Sequence, residues 1–369
     1  MKSKFFFTLI GAVALVSLLL AGCAPSDAPE SEGAAPAEEG EESPVAAEAE
    51  TLVLKGQMHN LPGNPFYDNF AEMCEDITIA SNGQIEMKPF GGGTVVPSIE
   101  EFDGVDSGVL DFALNNSFYW MNHFPAAGLF AYRTGGMAPM EFLTWLNTGG
   151  GAELMQEMVE GYNVHIIAGG GNLCTPEIFL SSDAELKTAA DIDGLKVRAG
   201  GDGGEVLSKM GASVVLFPSD EIYESMQRGV IDAYECSNPT VNWSMGMQEV
   251  GKYVYLSGCR QPMEYLPFFF NNDVWESLTP EMQKLIEEIT RAGAVRLYTE
   301  LVKADTESLQ MMKDYGNEVL FLPAEIEQAL ESTAEGVYAE KTASDAFYKE
   351  VFDSQLSFQQ QLRQSFNRL

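Results

Sequence analysis

Positive charge is scarce in this chain: 21 Lys and Arg stand against 55 Asp and Glu, a formal net charge of -34 over 369 residues. A surface that acidic argues against nucleic acid as a partner and against docking on anionic lipid head groups, both of which require basic patches. Histidine is scarcer still, with 3 residues (His59, His123 and His165) scattered along the sequence. His165 falls in an apolar run and reads as a core histidine. No CxxC spacing occurs, so neither a dithiol redox site nor a structural zinc site is indicated. Beyond Cys23, the thiols Cys74, Cys174, Cys236 and Cys259 do not resemble a disulfide scaffold and read as buried free cysteines. If one bridge forms, Cys236 with Cys259 is the pairing to examine. The G-x-S-x-G, H-E-x-x-H and P-loop spacings are also missing, which reads as no enzyme. Paired carboxylates such as Glu235 and Glu264 keep a secreted enzyme as the different-class alternative.

What is present begins at the N-terminus. Lys2 and Lys4 precede an apolar run from Phe5 to Leu20, followed by Leu20-Ala21-Gly22-Cys23, the small-residue pattern of a bacterial lipoprotein signal. Residues 1–22 are then removed and Cys23 becomes the lipid-bearing first residue, which attaches the protein to a membrane from the extracytoplasmic side. Residues 24–50 are rich in Ala, Glu, Pro, Ser and Gly and hold no aromatic and no basic residue. Such a segment buries too little apolar surface to fold and reads as a solvated tether. The structured part starts near Thr51 and exceeds what one hydrophobic core ordinarily serves, so two lobes are expected.

Strands and helices alternate from there. Thr51 to Met58, Gln84 to Pro89 and Leu110 to Leu114 read as strands, with helices over Phe66 to Ala80 and Ser98 to Ser107. Asn115 to Trp120 lie past a strand's carboxyl end, where α/β folds place ligands. Helices at Glu141 to Asn147 and Glu153 to Glu160 precede a buried strand, Val164 to Ala168. Pro280 to Tyr315 is helical for far longer than an average helix, and the remainder through Gln364 reads as helices packed on the second lobe. The most informative stretch is GLKVRAGGDGGEVLSKMGASVVLFPSDEIYESMQRGVIDAYECSNP, from Gly194 to Pro239. It reads as a strand at Leu195 to Val197, then Arg198, then glycines opening a helix that carries Val206, Leu207 and Met210. A strand at Val214 to Phe217, a helix at Glu221 to Gln227 and a strand from Val230 to Tyr234 follow, ending at Glu235. A guanidinium at that strand–loop junction can hold a carboxylate with two parallel hydrogen bonds, helped by the free N–H groups of the helix start. Taken alone, the same residues also suit a βαβ unit whose arginine pairs with a surface acid.

That segment resembles the signature region of the solute-binding proteins of tripartite ATP-independent periplasmic (TRAP) transporters, the dicarboxylate-binding DctP type. The matching features are LKVR, the helix ending KMGA, the run FPSDEIYESMQRGVIDAYE, and the acid followed by Asn238 and Pro239. The similarity extends from about Leu52 to about Leu330, and LNTGGGAELMQEMVEGYNVHIIAGG resembles the branch that takes 2-oxo acids, lactate and related organic acids. The resemblance implies an α/β, two-lobed periplasmic-binding-protein-like fold of the class II type with hinge strands and a long bracing helix. It places residues 51–175 plus about 262–300 in the first lobe and 176–261 plus about 301–369 in the second.

The resemblance also implies a site. Arg198 matches the carboxylate-binding arginine. Glu235 aligns with an acid that helps hold a metal ion bridging to the substrate, so it admits a Na⁺ or Ca²⁺ ion; the other reading is a hydrogen-bonded structural acid. Cys236 replaces a common aromatic residue and opens the pocket wall. Asn238 matches a polar residue, with a turn-former as its other reading. Glu264 aligns with a second acid and a second tentative metal ligand. Where relatives often present a glutamine, Thr175 or Glu177 takes the place. Were Glu177, Glu235 and Glu264 to converge, three carboxylates would face one arginine, and the excess would demand a cation or select a neutral or cationic ligand. Tyr119 and Trp120 would close over the ligand from the first lobe or pack in the core. The function implied is capture of a small organic acid by lobe closure and delivery to one small and one large TRAP membrane subunit. A homodimer through the C-terminal helices is also admitted, and an ABC-type or a sensory solute receptor is the alternative.

Overall fold

A computed structural model describes residues 51–366. The expected signal segment, Cys23 and the acidic tether lie outside the described residues. In chain order the strands are β1 (Leu52–Met58), β2 (Ile85–Phe90), β3 (Phe112–Leu114), β4 (Val164–Cys174), β5 (Ile178–Ser182) and β6 (Lys196–Arg198). They continue as β7 (Ser213–Val215), β8 (Ala233–Tyr234), β9 (Tyr253–Leu256), β10 (Glu264–Asn271) and β11 (Glu318–Phe321). The helices are α1 (Pro65–Ala80), α2 (Glu101–Asp106), α3 (Ala127–Ala131), α4 (Pro139–Thr148), α5 (Gly151–Met158) and α6 (Gly201–Lys209). After them come α7 (Ile222–Gln227), α8 (Pro239–Ser244), α9 (Asn272–Ser277), α10 (Pro280–Tyr315), α11 (Ala324–Ser344) and α12 (Ala346–Phe366).

Local chemistry explains where these elements start. The Asn64 side chain accepts from Phe66 N and Pro65 fills the first helical turn, so α1 begins there and buries Phe66, Phe70, Met73 and Ile77 at helical spacing. Thr279 and Pro280 do the same for α10, which runs 36 residues until Gly316.

Two sheets form, in the orders β2-β1-β3-β10-β4 and β11-β9-β5-β8-β6-β7. Strand β10 enters the first sheet antiparallel to both β3 and β4, after the chain has built most of the second. The chain therefore crosses between the sheets at residues 175–177, at residues 257–263, and again through α10. This is the two-lobed α/β arrangement expected. The long helix packs on β4 in one sheet, on β11 in the other, and on α8 between them. Its Asp305 clamps the crossings: Oδ1 accepts from Thr240 N at 2.9 Å and Thr240 Oγ1 at 2.6 Å, while Oδ2 accepts from the Thr175 hydroxyl.

Some expectations are corrected. Strand β4 continues past Ala168 to Cys174, because Gly170 lets α10 approach so closely that a Cβ there would meet Thr290 Oγ1 at 2.3 Å. Strand β8 is only two residues long, and β11, a short and mostly half-exposed edge strand beside β9, has no clear alternating pattern to betray it. The C-terminal tail does not pack as a whole on the second lobe. Helix α11 lies on α6, but α12 lies on α4 and α5 beside the first sheet. The inward face of α12 carries Gln355 and Gln359 below Tyr348 and Val351, all buried, so its polarity disguises it. Gln355 donates to Leu129 O at 2.8 Å and Gln359 to Gly136 O at 2.6 Å. His165 is half-buried and stacks on Trp275 at 4.4 Å, the packing role expected of it.

Asp202, at the start of α6, anchors this tail. It accepts from Tyr348 Oη at 2.5 Å and from Lys341 Nζ at 2.5 Å, and only 1% of it is exposed. Its removal strands a buried phenol and leaves the Lys341 ammonium only the more exposed Glu205 at 2.8 Å, so Asp202→Ala is expected to lower the unfolding free energy by about 2 kcal/mol. Urea denaturation measures this, and a change below about 0.5 kcal/mol would show that the anchor is dispensable.

Candidate functional site

Arg198 ends β6 with 2% of its surface exposed. Its Nε and Nη2 donate to Phe217 O at 3.1 and 3.0 Å, and Nη1 donates to the backbone oxygen of Glu235 at 2.9 Å. Three of the five guanidinium N–H bonds are thus spent on carbonyls that fix the plane, and one on each Nη is left over. Among the described residues no Asp or Glu pairs with this guanidinium. It borders a small cavity of about 20 Å³ between the sheets, with His59, Asn116, Phe118 and Tyr119 on one side and Cys236 and Ser237 on the other. The larger surface pocket beside Arg133 and Phe352 holds none of the expected site residues, while another, along the glycine-rich start of α6, is bordered by Tyr119 alone among them.

The polar groups around this cavity are tightly organised. Glu264, the first residue of β10, accepts from Asn116 Nδ2 at 2.6 Å and from Ser237 Oγ at 3.4 Å. Burial, followed by the charge of Glu235, pushes its carboxyl up to about 7, against the pull of the Asn116 and Ser237 hydrogen bonds and Arg198. Burial and the neighbouring Arg198 charge push His59 down to about 3, so its imidazole is neutral at working pH; its Nδ1 is buried without a partner. Burial also holds the Cys236 thiol well above its ordinary range, so it is a neutral wall element.

Glu177 and Glu235 meet elsewhere. Both reach Arg260, in the crossing between β9 and β10: Nη1 lies 2.7 Å from Glu177 Oε2 and Nη2 lies 2.7 Å from Glu235 Oε2, with all three side chains at most 1% exposed. Glu235 Oε2 also accepts from Gly200 N at 2.9 Å. Burial and the charge of Glu235 push the Glu177 carboxyl up, and Arg260 pulls it down. The expected contest of three carboxylates with one arginine is therefore corrected. Two arginines are present, and the second was hidden because nothing local in GCRQP distinguishes a buried arginine from a surface one.

Of the expected residues, Arg198, Cys236, Glu264 and Tyr119 border the cavity. The others do not. Trp120 follows Tyr119 in a 3₁₀ turn that sends the two rings opposite ways; its Nε1 donates to Asn115 at 2.9 Å and its ring packs on Phe102 and Phe269. Thr175 serves Asp305 at the crossing. Asn238 caps α8, its Oδ1 accepting from Val241 N at 3.0 Å. Glu235 and Glu264 do not converge on one ion in this arrangement, since Glu235 faces Arg260 and Glu264 faces Asn116 and Ser237. Among the described residues no three acidic, histidine or cysteine side chains form an ion-holding group. Cys236 and Cys259 are free and half-buried, and Cys259 Sγ donates to Glu331 instead. His59, Asn116, Ser237 and Arg260 went unassigned; Asn116 alone carried a signal, its place just past β3.

Comparison with known proteins supplies the family. The family model described as bacterial extracellular solute-binding protein, family 7, matches residues 57–345, and the chain belongs to that family. It is an extracytoplasmic solute-binding receptor and not an enzyme. A monocarboxylate 2-oxoacid-binding periplasmic protein of Nostoc sp. is 26% identical over 282 residues, 76% of this chain and 77% of that protein. A TRAP periplasmic solute-binding protein of Colwellia psychrerythraea, solved with bound calcium and pyruvate, is 26% identical with a TM-score of 0.82, covering 86% of this chain and 97% of that one. One from Pseudoalteromonas atlantica, solved with bound sodium and pyruvate, is 25% identical with a TM-score of 0.81, covering 85% and 95%. The ions in these relatives accord with the bridging Na⁺ or Ca²⁺ that the resemblance admits. As folded here, the two carboxylates assigned to such an ion face different partners, Glu235 Oε2 the Arg260 guanidinium and Glu264 Asn116 and Ser237, so they do not meet at one ion.

The Glu264 proton gives a pH signature. Between its ordinary 4.5 and about 7 the folded chain keeps a proton that the unfolded chain has released. The stability that Glu264 contributes therefore falls as pH rises through that window. Glu264→Gln is expected to flatten the decline in melting temperature between about pH 5 and about pH 8. Parallel slopes for the variant and the wild type would contradict a shifted Glu264.

Proposed function

We propose that this receptor captures a small 2-oxo or hydroxy carboxylate by pairing it with Arg198. The observation that carries this reading is a buried guanidinium, fixed in plane by carbonyls, bordering a cavity and paired with no carboxylate of the described residues. A buried cation without a counterion is costly, and a ligand carboxylate supplies the missing charge with up to two hydrogen bonds. Neutral His59 and the Tyr119 hydroxyl offer polar contacts for a keto or hydroxyl oxygen. The pyruvate named in the two solved relatives and the 2-oxo acid named in the Nostoc protein support the choice of ligand class.

With the sheets drawn together the cavity is little larger than a water requires. Entry therefore needs the lobes to part, and the site favours a small acid over a bulky one. Closure then buries the acid, with contacts from both sheets stabilising the closed form. In this reading the loaded receptor hands its solute to the small and large membrane subunits of a TRAP transporter. A lipid on Cys23 and the acidic tether hold it near them, and pairing of two copies is compatible with that role.

Isothermal titration with pyruvate and other small organic acids tests the proposal. The wild type is expected to bind at least one of them. Arg198→Ala is expected to lose affinity by about 100-fold or more, in line with removing one partner of a buried charge pair, while still unfolding cooperatively. Retained affinity in that variant would remove Arg198 from the site.

A further inference from the structure

We propose that Arg260 is a resident cation in this receptor, so that acid capture proceeds without a calcium or sodium ion of the kind bound along with pyruvate in the two solved relatives. The ligand arm of this inference rests on the reading of Arg198 given above; its ion arm does not.

Position comes first. Arg260 offers one nitrogen to Glu177 and the other to Glu235, each at 2.7 Å, in a spot from which solvent is excluded. The fold makes room for it. Gly203, in the glycine-rich start of α6, lies so close that a Cβ there would stand 3.0 Å from both Nε and Nη2 of Arg260. The Tyr132 ring covers the guanidinium at 5.6 Å, and Gln261 Oε1 accepts from Nη1 at 3.2 Å. A cradle of this kind holds a permanent group.

Charge comes second. Glu177, Glu235 and Glu264 against Arg198 alone would leave an excess of two negative charges before any anion arrives. That is the deficit a bound ion would offset. Arg260, within 2.7 Å of both Glu177 and Glu235, removes one of the two.

Ligation comes third. Calcium takes about 6–8 oxygens at about 2.3–2.6 Å. One oxygen of Glu177 and one of Glu235, Oε2 in both, already accepts from Arg260, and both Glu264 oxygens accept from Asn116 and Ser237, so the oxygens left over, such as Glu177 Oε1, fall well short of about six. An ion drawn into this group would also lie against a guanidinium in a low-dielectric interior, where like charges repel strongly. Arg260 does not border the cavity. It is a positioning residue acting through Glu235, whose carboxylate it holds and whose backbone oxygen fixes Arg198.

The test compares the wild type, Arg260→Gln and Arg260→Lys as purified proteins. Pyruvate is titrated in EDTA with sodium-free salts, then with calcium, then with sodium, and calcium alone is titrated without pyruvate. Wild-type affinity is expected to stay within about twofold across all three conditions, with no saturable calcium site. Arg260→Gln is expected to bind pyruvate about tenfold or more tighter with calcium than in EDTA, and to gain a calcium site, while Arg260→Lys stays ion-independent. A wild type that loses about tenfold in EDTA, or binds calcium as tightly as Arg260→Gln, overturns the proposal. If Arg260→Gln does not fold, the wild-type titrations decide alone. If no acid binds in any arm, the proposed ligand class fails, and the calcium-only titrations still decide the role of Arg260.

Discussion

An acidic protein that captures an acid must concentrate positive charge where its ligand sits, and here the interior achieves this with two buried guanidinium groups. At -34 overall, the surface repels anions at long range, more so at low salt. Arg198 faces the cavity, fixed by carbonyls that leave its charge unmatched. Arg260 lies behind it and neutralises the carboxylates that would otherwise compete for that charge. Glu235 joins the two: its carboxylate binds Arg260, and its backbone oxygen binds Arg198. The glycine-rich start of α6 serves this pair, through Gly200 N on Glu235 and through the space that Gly203 leaves for Arg260.

The same charges sit on the segments that join the two sheets. Glu177 lies in one crossing between the sheets, Arg260 in another, and Asp305 of α10 clamps Thr175 and Thr240 nearby. The crossing region is thus held by buried ionic contacts, which tolerate rotation less well than apolar packing does because each broken bond strands a charge. The tail adds a further restraint. Helix α12 lies on α4 and α5 beside the first sheet, yet its Tyr348 reaches Asp202 beside the second. Lobe motion must either carry α12 along or stretch that contact.

Much of this was legible in the sequence. An arginine at a strand end before glycines, the long helix to Tyr315 and the polar run after β3 each follow from local pattern, and the family resemblance supplied the two-lobed plan. What escaped depends on partners distant in sequence. Arg260 and Glu177 are 83 residues apart, and Thr175 and Asp305 are 130 apart, so no local window shows either pair. Trp120 and Tyr119 are neighbours whose opposite directions depend on one 3₁₀ turn. Helix α12 was misplaced because glutamines, not apolar residues, line much of its inward face. The family pattern suggested that acids at Glu235 and Glu264 meet around an ion, and it could not reveal an arginine bridging Glu235 to Glu177.

The most direct measurement is a crystal structure of the protein grown with pyruvate. The account predicts the ligand carboxylate within hydrogen-bonding distance of both terminal nitrogens of Arg198, with Arg260 still between Glu177 and Glu235. A ligand bound away from Arg198, or a carboxylate held there by groups other than its guanidinium, would contradict it.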